Sequence, residues 1–168
     1  MNRRIRMGMV GGGPGAFIGG VHRVAARFDG QIELVCGAFS QDAAKNKSMA
    51  AELFLPEEKC YPDYKTMIET ESKLPEGERM DFISITTPNN THFDIAMAAL
   101  DHGFHVVCEK PMTLSLEECK KMGMEKVLIT CLVHNVASAG VIAKNGGVFE
   151  RETSDGEHHL KRFWIDLR

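Results

Sequence analysis

Met9-Val10-Gly11-Gly12-Gly13-Pro14-Gly15-Ala16-Phe17-Ile18-Gly19 is the stretch on which the fold turns. A short apolar run (Met7, Met9, Val10) drops directly into glycines and then into an apolar segment with helical spacing. That is how a buried parallel strand passes into a helix whose N-terminus faces a ligand. Gly11 and Gly13 permit a tight turn and let backbone N–H groups approach a phosphate with no side chain in the way. Ala16 fills the third position of a G-x-G-x-x-G/A pattern and is small enough for close strand–helix packing. Phosphate held there gains N–H bonds and roughly 0.3–1 kcal/mol from the helix dipole. An ordinary glycine turn has the same local sequence, so the assignment depends on what lies downstream.

Downstream, strand and helix alternate. Phe17, Val21, Val24 and Phe28 fall at helical spacing and predict one buried stripe ending at Asp29-Gly30. Ile32–Phe39 reads as a second strand and Ser40–Phe54 as a helix. Tyr61–Glu71 reads as a shorter helix with Tyr64, Met67 and Ile68 inward. Asp81–Thr87 is the next strand, stopped by Pro88-Asn89-Asn90. Thr91 and Asp94 then stand as a capping box for a helix carried by Ile95, Ala96, Ala99 and Leu100 to Gly103. His105-Val106-Val107-Cys108 is another strand, ending in Glu109-Lys110-Pro111, and Ser115 with Glu118 forms a second capping box. Right-handed crossovers turn such a chain into a parallel sheet covered on both faces. The expected fold class is therefore α/β, a Rossmann-type doubly wound sheet. Three segments meet at its ligand end: the glycine loop, Thr87-Pro88-Asn89 and Glu109-Lys110-Pro111.

The bulk properties fit one soluble globular domain. The 168 residues are 26% charged and 43% hydrophobic, and the net charge of −3 carries no footprint for nucleic acid. The apolar run after Arg3, Arg4 and Arg6 ends at Gly11, too short for a signal peptide, and no segment approaches membrane-span length. Five scattered cysteines without C-x-x-C spacing indicate neither a metal site nor a disulfide framework, and they suit a reducing cytoplasm.

In order and spacing, Gly11–Gly19, Thr87-Pro88-Asn89 with His92, and His105–Pro111 resemble the nucleotide-binding domain of the Gfo/Idh/MocA family of NAD(P)-dependent sugar and cyclitol oxidoreductases. The similarity runs from about Arg6 to Cys119, and Glu109-Lys110-Pro111 behind a strand is its specific part. The resemblance implies hydride transfer between a substrate hydroxyl carbon and nicotinamide, with Lys110 as the catalytic residue. It implies cofactor contacts from Gly11, Gly12, Gly13, Phe17, Ile18, Thr87, Pro88, Asn89, His92, Glu109 and Lys110, and a cis Lys110–Pro111 bond. On its own chemistry, a lysine at a strand's carboxyl end orients a hydroxyl and stabilises a developing alkoxide. His92 reads equally as a plain helix-surface histidine; His22, His102 and His105 carry no assigned role.

The end of the second strand decides the cofactor. NAD-preferring domains put an acid there for the ribose 2′-hydroxyl. This chain has Phe39-Ser40-Gln41, with Asp42 the nearest acid. Ser40 and Lys45 suit a 2′-phosphate and resemble NADP-using members, so the choice between NADP and NAD leans to NADP. A helix cap at Ser40 and a solvated Lys45 are the competing reading.

After Met122 the pattern breaks. Lys126–Val133 is expected as the sixth strand of the sheet, closing a domain over residues 1–135, and 136–168 as an irregular tail. Asp155-Gly156-Glu157-His158-His159 has the family's Asp-x-x-x-His spacing but arrives too early and reads as a chance match. The family's second domain, which holds the sugar and mediates oligomerisation, has no room here. The chain is therefore expected as a truncated cofactor domain that binds nicotinamide dinucleotide and turns sugars over poorly. The alternative is a non-catalytic nucleotide-binding or sensing protein.

Overall fold

Strand β1 (Ile5–Gly11) lies between β2 (Ile32–Ala38) and β3 (Phe82–Thr86), and β4 (His105–Cys108) follows beyond β3. All three pairings are parallel, and Cys60 adds an isolated parallel bridge to Gly37 at the β2 edge. The computed structural model describes residues 3–168. It divides into two compact units, Met1–Leu114 and Ser115–Arg168.

The first unit is the expected Rossmann-type sheet. Met7, Met9, Ile83 and Ile85 are buried because a parallel strand is covered on both faces. Helix α1 (Phe17–Arg27) makes the β1–β2 crossover; α2 (Ala43–Glu52), α3 (Tyr64–Glu71) and α4 (His92–Asp101) follow. The strand order β2-β1-β3-β4 with right-handed crossovers puts α1 on one face and α4 on the other.

The apolar stripe expected on α1 faces outward instead. Phe17 is 83% and Phe28 91% exposed, and Val21 and Val24 are exposed as well. The reason is steric. Gly19 packs on Gly12 so closely that a Cβ at 19 would overlap the Gly12 Cα. That contact fixes the rotation of the helix, and Gly19, His22, Arg23 and Ala26 turn toward the sheet.

Cap chemistry also differs from expectation in places. Asp42, not Ser40, caps α2, its Oδ1 accepting the Lys45 N–H at 3.0 Å. Asp63 caps α3 through the Thr66 N–H at 2.8 Å, so that helix begins at Tyr64. The Thr91–Asp94 box does not form. A 3-10 turn over Asn89–Thr91 precedes α4, and the Thr91 hydroxyl bonds Thr87 Oγ1 and the Pro88 carbonyl, each at 2.8 Å.

The second unit corrects the expected boundary at 135. It holds α5 (Leu116–Lys121), β5 (Lys126–Leu132), α6 (Val136–Lys144), β6 (Val148–Ser154) and β7 (His159–Asp166). Ser115 Oγ caps α5 by accepting the Glu118 N–H at 3.2 Å. Strand β5 is not a sixth parallel strand; it pairs antiparallel with β7 in a separate sheet of order β5-β7-β6. Its burial alternates residue by residue, the pattern of a strand with one solvated face. The stretch 136–168 is regular structure, with Phe163 of β7 and Ile142 of α6 buried.

Candidate functional site

The site grows from the end of β1. Gly11 and Gly12 have φ of +84° and +72°, which an L side chain rarely adopts. A Cβ on Gly13 would stand 2.8 Å from the Phe39 carbonyl oxygen, so the loop lies directly against the end of β2. Arg23, on the inner face of α1, donates to the Gly12 carbonyl at 3.0 Å and holds the loop from behind. Burial in this position lowers the Arg23 pKa below its ordinary value.

Helix α1 begins beside this loop with Ala16 as its N-cap. No side chain accepts from its first N–H groups, and its first turn carries no acid. Helices α2 and α3 are both capped by aspartates. An uncapped helix N-terminus behind glycines leaves its donors and positive dipole end available to an anion.

Around the loop opens a cavity of about 670 Å³, within the range of small-molecule sites. Gly11, Gly12, Gly13, Pro14 and Ala16 form one wall, and Phe39, Ser40, Gln41 and Lys45 form a second. Thr86, Thr87, Pro88, Asn90 and Thr91 form a third, while Pro62, Asp63 and Tyr64 close the far side. The second wall is held by Asn46, buried in α2. Its Oδ1 accepts the Phe39 N–H at 2.8 Å and its Nδ2 donates to the Tyr61 carbonyl at 2.7 Å. The acid nearest the end of β2 is committed elsewhere. Asp42 is occupied as the α2 cap, and the Lys45 N–H lowers its pKa. Ser40 Oγ accepts the Asp42 N–H at 3.1 Å, a turn bond that leaves its hydroxyl hydrogen to donate.

Of the residues singled out in the sequence, Gly11, Gly12, Gly13, Ser40, Lys45, Thr87 and Pro88 come together in the cavity wall. Phe17, Ile18, Asn89, His92, Glu109 and Lys110 are outside it. Phe17 is outside because the Gly12–Gly19 contact rotates it into solvent. Asn90, rather than Asn89, reaches the wall because of the 3-10 turn. His92 is fully buried, so it is neither a surface histidine nor part of the wall. Its Nε2 lies 2.9 Å from the Thr87 carbonyl and its Nδ1 2.8 Å from the Pro111 carbonyl. Carbonyls only accept and the neutral ring has one N–H, so the ring donates to one of these loops and packs against the other from behind.

Glu109 and Lys110 follow β4. The Lys110–Pro111 peptide is cis, as the resemblance implies, and the Lys110 side chain is exposed. Glu109 bonds His22 Nε2 at 2.8 Å, the main cause of its lowered pKa, and its Oε2 accepts the Lys110 N–H at 3.1 Å. His22 Nδ1 meets Ser84 Oγ at 2.9 Å. Sequence pattern alone assigns no role to His22, Arg23 or Asn46. For the first two the signal was present: residues 19, 22, 23 and 26 share a helical face, and its smallest members mark the side that touches the sheet.

In the second unit, Asp155 is a turn residue. Its Oδ1 accepts the Glu157 and His158 N–H groups at 3.0 and 2.7 Å, while His159 pairs with Ser154 in the sheet. Asn135 caps α6 through the Ser138 N–H. Among the described residues, no helix is long and apolar enough to cross a membrane, and no cluster of His, Cys, Asp and Glu is arranged to hold a metal ion.

Comparison with known proteins agrees with this geometry. The family model for the oxidoreductase family with an NAD-binding Rossmann fold (GFO_IDH_MocA) matches residues 5–126. An uncharacterized oxidoreductase, YfiI, of Bacillus subtilis (strain 168) is 40% identical over 119 residues, 70% of this chain and 30% of that protein. An oxidoreductase from Sinorhizobium meliloti superposes with a TM-score of 0.66 at 45% identity, over 72% of this chain and 33% of the other. An inositol dehydrogenase homolog from Azotobacter vinelandii, solved with NADH and myo-inositol, gives a TM-score of 0.69 at 42% identity. That match covers 73% of this chain and 32% of the other. The chain thus spans about a third of the length of the relatives it matches.

Proposed function

We propose that this chain, which belongs to the Gfo/Idh/MocA oxidoreductase family with its NAD-binding Rossmann fold, binds a nicotinamide dinucleotide in the glycine-loop cavity and contributes the cofactor half of a dehydrogenase acting on a sugar or cyclitol hydroxyl. The observation that carries the reading is the uncapped N-terminus of α1 set behind Gly11, Gly12 and Gly13. The residues fit the group. Side chains are excluded where a pyrophosphate must come close, and the donors that would meet it have no side-chain partner.

When bound, the nicotinamide supplies the hydride acceptor or donor. The backbone N–H groups of the loop and the first turn of α1 take the pyrophosphate charge. Thr87 and Pro88 form the wall at the end of β3, and His92 keeps that wall in place from behind. Lys110, exposed at the end of β4, would donate from its ammonium to a substrate hydroxyl oxygen and stabilise the negative charge that oxygen gains as its proton passes to a base or to water, ahead of hydride departure from the carbon. The polyol assignment draws on the myo-inositol of the Azotobacter relative.

The finer assignment is NADP. Ser40 and Lys45 stand together in the cavity wall, and Asp42 is turned into a helix cap instead of a ribose ligand. A 2′-phosphate therefore meets a hydroxyl and a cation rather than a carboxylate. Titration of NADPH and NADH against the purified chain by cofactor fluorescence tests this. NADPH is expected to bind at least about tenfold tighter, a difference of about 1.4 kcal/mol, and Lys45→Ala should remove most of that preference. Tenfold tighter NADH would overturn the NADP assignment, and absence of binding by both would overturn the function. Where substrate-dependent oxidation can be read, Lys110→Ala should abolish it and leave cofactor binding in place. A chain that binds the dinucleotide and needs Lys110 for nothing would instead be a sensor.

A further inference from the structure

His22 is an α1 residue with both ring nitrogens engaged, one by a group on β3 and one by a group just past β4. Ser84, buried on β3, meets Nδ1 at 2.9 Å, and Glu109, just past β4, meets Nε2 at 2.8 Å. An ionised carboxylate only accepts, so Nε2 carries the hydrogen given to Glu109, and Nδ1 of the neutral ring accepts the Ser84 hydroxyl hydrogen. Glu109 passes the contact on, because its other oxygen accepts the Lys110 N–H at 3.1 Å. Its own N–H is fixed on the Ile85 carbonyl at 3.0 Å. The relay runs Ser84, His22, Glu109, Lys110 main chain.

On the opposite face of the sheet, His92 of α4 sets its Nδ1 2.8 Å from the Pro111 carbonyl. Lys110 therefore stands between two neighbours, each in contact with an imidazole from a different face. Its main chain is fixed on both sides while its side chain remains exposed. Anchoring α1 to the sheet would need no carboxylate that also holds the Lys110 amide.

We propose that His22 is a positioning residue for Lys110: acting through Glu109, it sets the main chain from which the lysine ammonium is presented to the bound cofactor and substrate. The inference rests on Lys110 having the role assigned under the proposed function. It adds to that role a device outside the cavity wall, contributed by the helix whose N-terminus receives the phosphate.

Two measurements on the whole chain test it. In the ligand-free protein, amide hydrogen exchange at Lys110 should quicken about tenfold in His22→Leu and in Glu109→Leu. With saturating NADPH, acetic anhydride labelling read by mass spectrometry should find Lys110 protected in the wild type and unprotected in both variants, while Lys45 keeps its protection. His22→Gln, whose amide N–H₂ sits about where Nε2 does, should restore both readouts. The double variant should lose no more than either single one, as residues of one relay do. Glu109→Leu removes both acceptors at a half-buried position with little change in size, so the test stands even if His22→Leu fails to fold. Wild-type exchange and labelling at Lys110 in Glu109→Leu or in folded His22→Leu would overturn the relay, as would additive losses. If the wild type binds NADH and not NADPH, the labelling is read with NADH; if it binds neither, the proposed function fails, and the exchange measurement still decides whether His22 governs the Lys110 main chain.

Discussion

The two ends of the parallel sheet are built on opposite terms. At the amino ends of its strands, polar groups answer one another. Asp81 accepts both arms of the Arg3 guanidinium at 2.6 and 2.8 Å and the Arg6 N–H at 2.8 Å. The Arg6 guanidinium reaches the Arg79 and Glu78 carbonyls and the Glu33 carboxylate. At the carboxyl ends, α1 starts with no cap, three glycines expose main chain, and Lys110 projects outward. The closed end holds strands together; the open end leaves donors and a cation for something that is not protein. A doubly wound sheet binds ligands at this end because its helix N-termini gather there. This chain adds the removal of side chains where the ligand must come close.

If that contrast is sound, disturbing the open end should cost binding first. Gly19→Val places a branched side chain against the Gly12 main chain. We expect NADPH affinity to fall by about a hundredfold or more, a loss of about 2.7 kcal/mol. Stability should fall as well, by about 1–3 kcal/mol of overpacking, readable as about 2–4 °C of Tm for each kcal/mol. Unchanged affinity in a folded Gly19→Val protein would break the comparison. Asp81→Ala probes the other end. It strips the acceptor from the Arg3 guanidinium and the Arg6 amide, with an expected loss of about 1–3 kcal/mol in denaturant unfolding. NADPH affinity should stay within about twofold, since a tenfold change would be about 1.4 kcal/mol of coupling between the ends.

The parallel strands were legible because burial on both faces writes continuous apolar runs, as in the buried Met7-Gly8-Met9-Val10 of β1. The glycine loop was legible because few sequences leave three successive positions without side chains. The rotation of α1 was not. Phe17, Val21, Val24 and Phe28 make the better apolar stripe, yet a backbone approach between two glycines outweighs it, and hydrophobic periodicity does not register such an approach. His22 was lost with that rotation. Within the Ser115–Arg168 unit, the helix after Ser115 and the strand from Lys126 were legible, but 136–168 was hidden for another reason. Its β6–β7 pairing shifts register between Phe149 and Arg151, which interrupts the period of two. Cross-strand charge pairs such as Glu150–Arg162 at 2.7 Å further replace apolar residues with ions.

The smallest expected effect separates the two ends by pH. Each end holds a carboxylate whose pKa is lowered by a side-chain partner: Asp81 chiefly by the hydrogen bond from Arg3, and Glu109 chiefly by the bond from His22. A carboxyl with a lowered folded pKa contributes stability that is fully present above its unfolded value and is lost as pH falls through its folded one. For Asp81 that loss begins near its ordinary value of 3.8, and for Glu109 near 4.5. Acid unfolding followed from neutral pH downward should therefore draw first on the open end and then on the closed one. Glu109→Gln should flatten the fall in Tm that starts near pH 4.5, and Asp81→Asn the fall below about pH 3.8. Both variants should be less stable than the wild type near pH 7 and converge on it in acid. The gap for Asp81→Asn should persist to lower pH, because it begins to close only near 3.8. Gaps closing over the same pH interval would mean that the two ends do not titrate as separate devices.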